Sequence, residues 1–171
     1  MEAIEAFDHA LTFDRNYVLA LLSKGVVLEK LKRYEDAIQA YCFVLAIDPD
    51  DSLAWRQKGG SLFQLRRYVE AIQAFDRGLA LDQNDPFVWC DKGDCFYNLQ
   101  RYKEAIQAYD QAIALDQNYL RSWNNKGLAL RKLKRYEEAI QAYGQALAID
   151  ATTESALKGR KAAVDALNAA E

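Results

Sequence analysis

The chain has 171 residues, 51% of them hydrophobic and 27% charged, and a formal net charge of −3. So small a charge argues against nucleic acid and against an anionic membrane surface as partners, and no apolar run reaches the roughly 18 residues of a membrane-spanning helix. Three cysteines do not make a disulfide framework, so a reducing, cytoplasmic setting is expected. The N-terminal stretch, MEAIEAFDHA, is acidic and amphipathic, and reads as neither a signal nor a transit peptide. Residues 18–51 then carry two apolar stripes. Leu21, Gly25 and Leu28 follow one another at spacings of four and three, as do Ala37, Tyr41 and Val44, so each set lies on one face of a helix. The small Gly25 and Ala37 are expected to let the two helices approach closely. Burying an aromatic such as Tyr41 beside them is worth roughly 1.5–3 kcal/mol.

The pattern then returns at a step of 34 residues. Residues 52–85 carry Trp55, Gly59 and Leu62, then Ala71, Phe75 and Gly78; residues 86–119 carry Trp89, Gly93 and Phe96, then Ala105, Tyr109 and Ala112. Residues 120–153 carry Trp123, Gly127 and Leu130, then Ala139, Tyr143 and Ala146. A helix pair cannot bury both faces alone, and stacking of such pairs is what makes them stable. In residues 1–17, Ala3, Phe7, Ala10 and Phe13 align with Ala37, Tyr41, Val44 and Ile47, which makes this segment a second helix without its first. That register suggests a piece of a longer array. Residues 154–171 are Ala-rich, with Glu154, Lys158, Arg160, Lys161, Asp165 and Glu171 interspersed, and suit a solvating cap helix.

The order Trp, Gly, Leu or aromatic, Ala, Tyr or Phe, Ala at this step resembles the tetratricopeptide repeat over essentially the whole chain. The resemblance implies an all-α fold, a right-handed α-solenoid of stacked antiparallel helix pairs. Its parts would be a half repeat at 1–17, repeats at 18–51, 52–85, 86–119 and 120–153, and a capping helix at 154–171. It also implies a protein-interaction scaffold. Two departures stand out: the family's proline near the end of the second helix appears only as Pro49, and the residue before each glycine is Lys24, Lys58, Lys92 or Lys126. These lysines are expected to run their stems along the apolar face and keep the ammonium in water.

Charges repeat as well. Arg33, Arg67, Arg101 and Arg135 occupy one position of the repeat; Asp48, Asp82, Asp116 and Asp150, with Asp14 in the half repeat, occupy another. A basic ridge could track a phosphate backbone. The expectation is instead that each charge complements a helix dipole, with Glu35 and Asp36, Glu70, Glu104, and Glu137 and Glu138 opening the second helices. Catalytic chemistry is sparse. His9 has no second histidine to join it; Cys90 and Cys95 point in different directions, and Cys42 sits in another repeat. No zinc site or other metal centre, no cofactor and no enzyme activity are expected. Asp91 and Asp94, three apart on one helix, read as a solvated pair rather than an acid–base couple.

The family resemblance implies that first helices line a concave groove. There the repeats differ: Arg56 and Phe63 in one repeat, Phe87, Asp91, Asp94 and Tyr97 in the next, and Arg121, Asn124, Asn125 and Arg131 in the last. A partner peptide or helix is therefore expected to lie along this surface. Phe63, Phe87 and Tyr97 would anchor its apolar side chains, Arg56, Arg121 and Arg131 would meet acidic or amide groups, and Asp91 and Asp94 a basic one. One subset of the family grips C-terminal carboxylates of chaperone tails with Lys, Asn and Arg at fixed groove positions. In the best register those positions hold Arg56, Gly60, Asp91, Arg121 and Asn125, where Gly60 lacks a donor and Asp91 would repel a carboxylate. The alternative is self-association into a homodimer through an apolar N-terminal edge of Leu19, Leu22 and Val26.

Overall fold

The computed structural model describes residues 18–169, which are all-α. The half repeat expected at 1–17, and His9 with it, lies outside the described residues. Two compact units divide the chain between Gln83 and Asn84. In the first, α1 (Val18–Lys30) pairs with α2 (Tyr34–Ile47), and α3 (Ser52–Gln64) with α4 (Tyr68–Leu81), while α3 also packs on α1 and α2. In the second, α5 (Pro86–Asn98) pairs with α6 (Tyr102–Leu115), and α7 (Leu120–Lys132) with α8 (Tyr136–Ile149). There α9 (Glu154–Asn168) closes over α8 and α7. No helix among the described residues is long and apolar enough to cross a membrane.

Each pair is held by a ring set into a notch. A Cβ added at Gly25 would lie 2.4 Å from the ring of Tyr41; at Gly59 it would lie 2.4 Å from Phe75, at Gly93 2.5 Å from Tyr109, and at Gly127 2.7 Å from Tyr143. The glycines therefore serve the aromatic of the partner helix, not a backbone-to-backbone approach. Ala37, Ala71, Ala105 and Ala139 are fully buried nearby in the same interfaces. Gly159 of α9 sets a second notch against Tyr143, 2.4 Å from its ring, so the closing helix repeats the device at a different register.

First helices end alike. Lys32, Arg66, Gln100 and Lys134 take φ near 60°. The following arginine N–H reaches back to the carbonyl of Leu28, Leu62, Phe96 or Leu130. This is the Schellman ending, usually built on glycine, and here it is made four times without one. The same arginines become the N-terminal boundary of the second helices, and each Nε donates at 2.7 Å to the carboxylate three residues on: Asp36, Glu70, Glu104 or Glu138. Each cation is therefore answered by its own carboxylate, which stands in the first turn of the second helix as the dipole favours. The repeated aspartates sit at helix C-termini, where the dipole disfavours them. Their role is local: Asp48, Asp116 and Asp150 each accept a backbone N–H two residues on, at 2.9–3.1 Å, the Asx turn.

The lysines do more than snorkel. Lys58, Lys92 and Lys126 place Nζ 5.0, 4.9 and 5.4 Å from the ring centres of Trp55, Trp89 and Trp123, within cation–π range. The half-buried Trp55 and Trp123 indoles donate to the carbonyls of Pro49 and Gln117, both at 2.9 Å. The carbonyl, which any residue supplies, is what the turn needs from the position where the family places proline.

Gly59 and the neighbouring Gly60 separate these effects. An added Cβ at Gly60 meets nothing within 4 Å, so Gly60→Ala is expected to stabilise by about 0.5–1 kcal/mol through helix propensity. Gly59→Ala is expected to destabilise by about 1–2 kcal/mol, because overpacking against Phe75 outweighs that gain. Urea denaturation of both variants checks this, and a stabilised Gly59→Ala would refute the notch.

Candidate functional site

The faces of the first helices that are not packed on second helices carry the residues that change from repeat to repeat. In the first unit, Leu19 is 64% exposed, but Leu22 is partly buried against the core clusters that hold Leu21 and Val44, and Leu28 and Tyr41, and Val26 is half-buried. The expected apolar edge thus reduces to one well-exposed side chain. Ser61 of α3, fully buried, donates to Glu29 of α1 at 2.5 Å, so this part of the surface is already bonded. Arg56 is half-buried on α3. Phe63 packs edge-on against Tyr68, ring centres 5.5 Å apart.

The second unit holds a connected cluster. Asp91 and Asp94 of α5 both pair with the guanidinium of Arg121 on α7, Asp91 at 2.7 Å. Asp94 also accepts from the Tyr109 hydroxyl and from Asn125 Nδ2, each at 2.8 Å. Its side chain is 13% exposed and that of Asp91 31%. The solvated pair expected from sequence is therefore a half-buried, shared acceptor. The two carboxylates hold the Arg121 guanidinium firmly protonated. Burial raises the Asp91 carboxyl above its ordinary value, against the pull of Arg121. Burial and Asp94 together keep the Tyr109 phenol neutral.

Aromatic groups flank the cluster. Phe87, 53% exposed, packs edge-on against Tyr119 with ring centres 5.0 Å apart. Tyr97 does the same with Tyr102 at 5.4 Å and is half-buried, with Arg131 nearby. Of the three expected anchors, Phe87 alone is mostly open to solvent. Asn124 is a correction: it is 9% exposed, and its side chain accepts from Ser155 of α9 at 3.2 Å and donates to Asn125. The fifth position of that repeat thus packs under the closing helix. Cys90, at the corresponding position of α5, is fully buried too.

Sequence reasoning missed Tyr109 and Tyr119. Spacing carried no signal for Tyr109, since Tyr41 and Tyr143 at the same position stand with the apolar Val26 and Leu128 where Tyr109 has Asp94. Elsewhere, open crevices of about 440 and 270 Å³ lie beside Trp55 and Trp123. Lysine, leucine, glutamate and glutamine at matching repeat positions line both, so these crevices belong to the copied scaffold. Among the described residues, no group of three or more His, Cys, Asp or Glu could hold a metal ion.

Family profiles described as Tetratricopeptide repeat match residues 1–52, 28–90, 86–119 and 120–152. No curated relative matches the sequence. Among solved structures, MamA from Desulfovibrio magneticus superposes with a TM-score of 0.84 at 18% identity, over 90% of this chain and 86% of that one. The first tetratricopeptide domain of Spaghetti (RPAP3), bound to the HSP90 peptide SRMEEVD, gives 0.68 at 24% identity, over 71% and 96%. The second such domain of human RPAP3, in complex with the HSP70 peptide SGPTIEEVD, gives 0.62 at 25% identity, over 64% and 91%.

The cluster makes unequal demands on its two carboxylates. Asp94→Ala strands a buried phenol, an amide and half of an ion pair, and is expected to cost about 2–4 kcal/mol. Asp91→Asn, at the more exposed site, is expected to cost less than about 1 kcal/mol. Equal losses in denaturant unfolding would contradict this geometry. The thiols divide as sharply. Burial pushes Cys90 and Cys95 up to about 12, while Cys42 is exposed. A thiol reagent is expected to titrate Cys42 rapidly in the folded protein and the other two only after denaturation; fast reaction at Cys90 would count against its burial.

Proposed function

Because the chain belongs to the tetratricopeptide repeat family, we propose that it is a protein-interaction scaffold that holds an extended segment or helix of a partner across its first helices. The observation that carries this reading is Phe87, an aromatic left 53% exposed on a first-helix face whose residues are not copied between repeats. Large aromatics in such positions are what binding hot spots are made of. In the second unit the partner would cross Phe87, Asp91, Tyr97, Asn125 and Arg131. In the first unit Arg56 and Phe63 would serve in the same way. Asn124 and Arg121 drop out as direct contacts, the first buried and the second bonded to two carboxylates.

The RPAP3 domains hold peptides ending in EEVD. In this chain, Arg121 stands where an acidic tail would look for a cation. Its charge is already met by Asp91 and Asp94, so an acidic tail is a poor fit for this scaffold.

Capture of partners on the immobilised protein tests the reading. The double variant Phe87→Ala plus Tyr97→Ala is expected to weaken a given partner by about 30-fold or more, two hot-spot residues being removed. Lys103→Ala, exposed on the second helix α6, is expected to bind as the parent does. If the double variant keeps every partner at parental affinity, the assignment of this face is wrong.

A further inference from the structure

In the second unit, the face built by α5 and α7 sets two carboxylates, Asp91 and Asp94, against one guanidinium, Arg121. Asp85 caps the start of α5 by accepting from the N–H groups of Phe87 and Val88. Of the other cations on α7, Lys126 is bonded to Asp110, and Arg131 and Lys132 begin ten residues beyond Arg121. That is about 15 Å along the helix, and beyond the roughly 8 Å over which exposed charges act at physiological salt.

An independent feature lies beside this excess. Phe87 and Asp91 are four residues apart on one helix, so their side chains are neighbours on one face. The Phe87 ring is held edge-on by Tyr119 and still leaves more than half of its surface open. An aromatic face next to a carboxylate is the pairing that receives a lysine or arginine side chain: the ring takes the cation and the alkyl stem, and the carboxylate takes the N–H groups. The fold itself uses the first half of that chemistry wherever Lys58, Lys92 or Lys126 covers a tryptophan.

We propose that this face docks its partner through a lysine or arginine side chain, seated between the open ring of Phe87 and the carboxylate of Asp91. Asp94 and Arg121 position Asp91 and keep the surface from accepting an acidic group. The proposal rests on the groove reading above and narrows it to a partner segment that is basic at one point and apolar beside it.

The test is selection of random heptapeptides, displayed with both ends blocked, on the whole immobilised protein, with the peptide SRMEEVD as an acidic comparison. Enriched sequences are expected to share a lysine or arginine next to an apolar residue. A synthetic copy is expected to bind at least ten-fold more tightly than its Lys→Glu version and than SRMEEVD, with affinity falling as salt rises. Asp91→Asn, which keeps the side-chain shape, is expected to lose about ten-fold in affinity for the basic peptide, and Asp91→Lys to reverse the preference. Circular dichroism of both variants checks the fold, and if the lysine variant fails to fold, the isosteric one decides. Acidic or purely apolar winners, or a basic preference that survives Asp91→Asn, overturn the proposal while leaving a peptide-binding face in place. No enrichment over the bare support overturns the proposal together with the groove reading.

Discussion

Tyr41, Phe75, Tyr109 and Tyr143 each press a ring edge into the space a glycine leaves on the facing helix, 2.4–2.7 Å from where a Cβ would be. Carbon atoms in contact prefer about 3.5–4.0 Å, so one methyl group would overlap the ring by about an ångström. This fit fixes the rotation of one helix against the other within each pair. Once that rotation is set, Leu28, Leu62, Phe96 and Leu130 fall inside, and the opposite side of every first helix is left for something else. The cap follows the same constraint, with Gly159 of α9 meeting Cζ and Cε1 of Tyr143, atoms that Gly127 also meets.

Most of the copied polar residues are absorbed locally, within a few positions of where they stand. The arginines bond carboxylates three residues on, the aspartates bond backbone N–H groups two residues on, and the lysines cover tryptophans three residues back. Exposed pairs of this kind hold little stability each. They leave few charges unanswered on the copied surface, however, so the proposed binding face is where a partner would find electrostatic relief.

The helices, their pairing and their glycine and alanine positions were legible in the sequence, because periodicity at 34 residues reports packing directly. The identity of the residue that meets each glycine was also readable, though its purpose was not: spacing says that Gly93 and Tyr109 share an interface, while only coordinates say that ring and notch coincide. The candidate site was less legible. Asp91, Asp94, Arg121 and Asn125 were all picked out as groove residues, yet as separate contacts for a partner. Their mutual bonding depends on the rotation between α5 and α7, which no spacing within one helix encodes. Asn124 was misplaced for a related reason, since the helix that covers it, α9, departs from the repeat register.

The Asp94–Tyr109 bond joins the two halves of this design. Tyr109 is one of the four rings that set the helix pairs, and Asp94 lies on the proposed binding face, so in this repeat that face is tied by a part-buried hydrogen bond to the element that determines the fold. Phe75 carries no hydroxyl and faces a repeat with Gly60 at the matching groove position, and there the surface can change without touching the core. A groove built on such repeats therefore has positions of two kinds. At those like Gly60, a side chain can be added for a new partner at small cost in stability. At those like Asp94, every change in charge is paid in the core, which holds the carboxylates and with them the sign of this part of the surface.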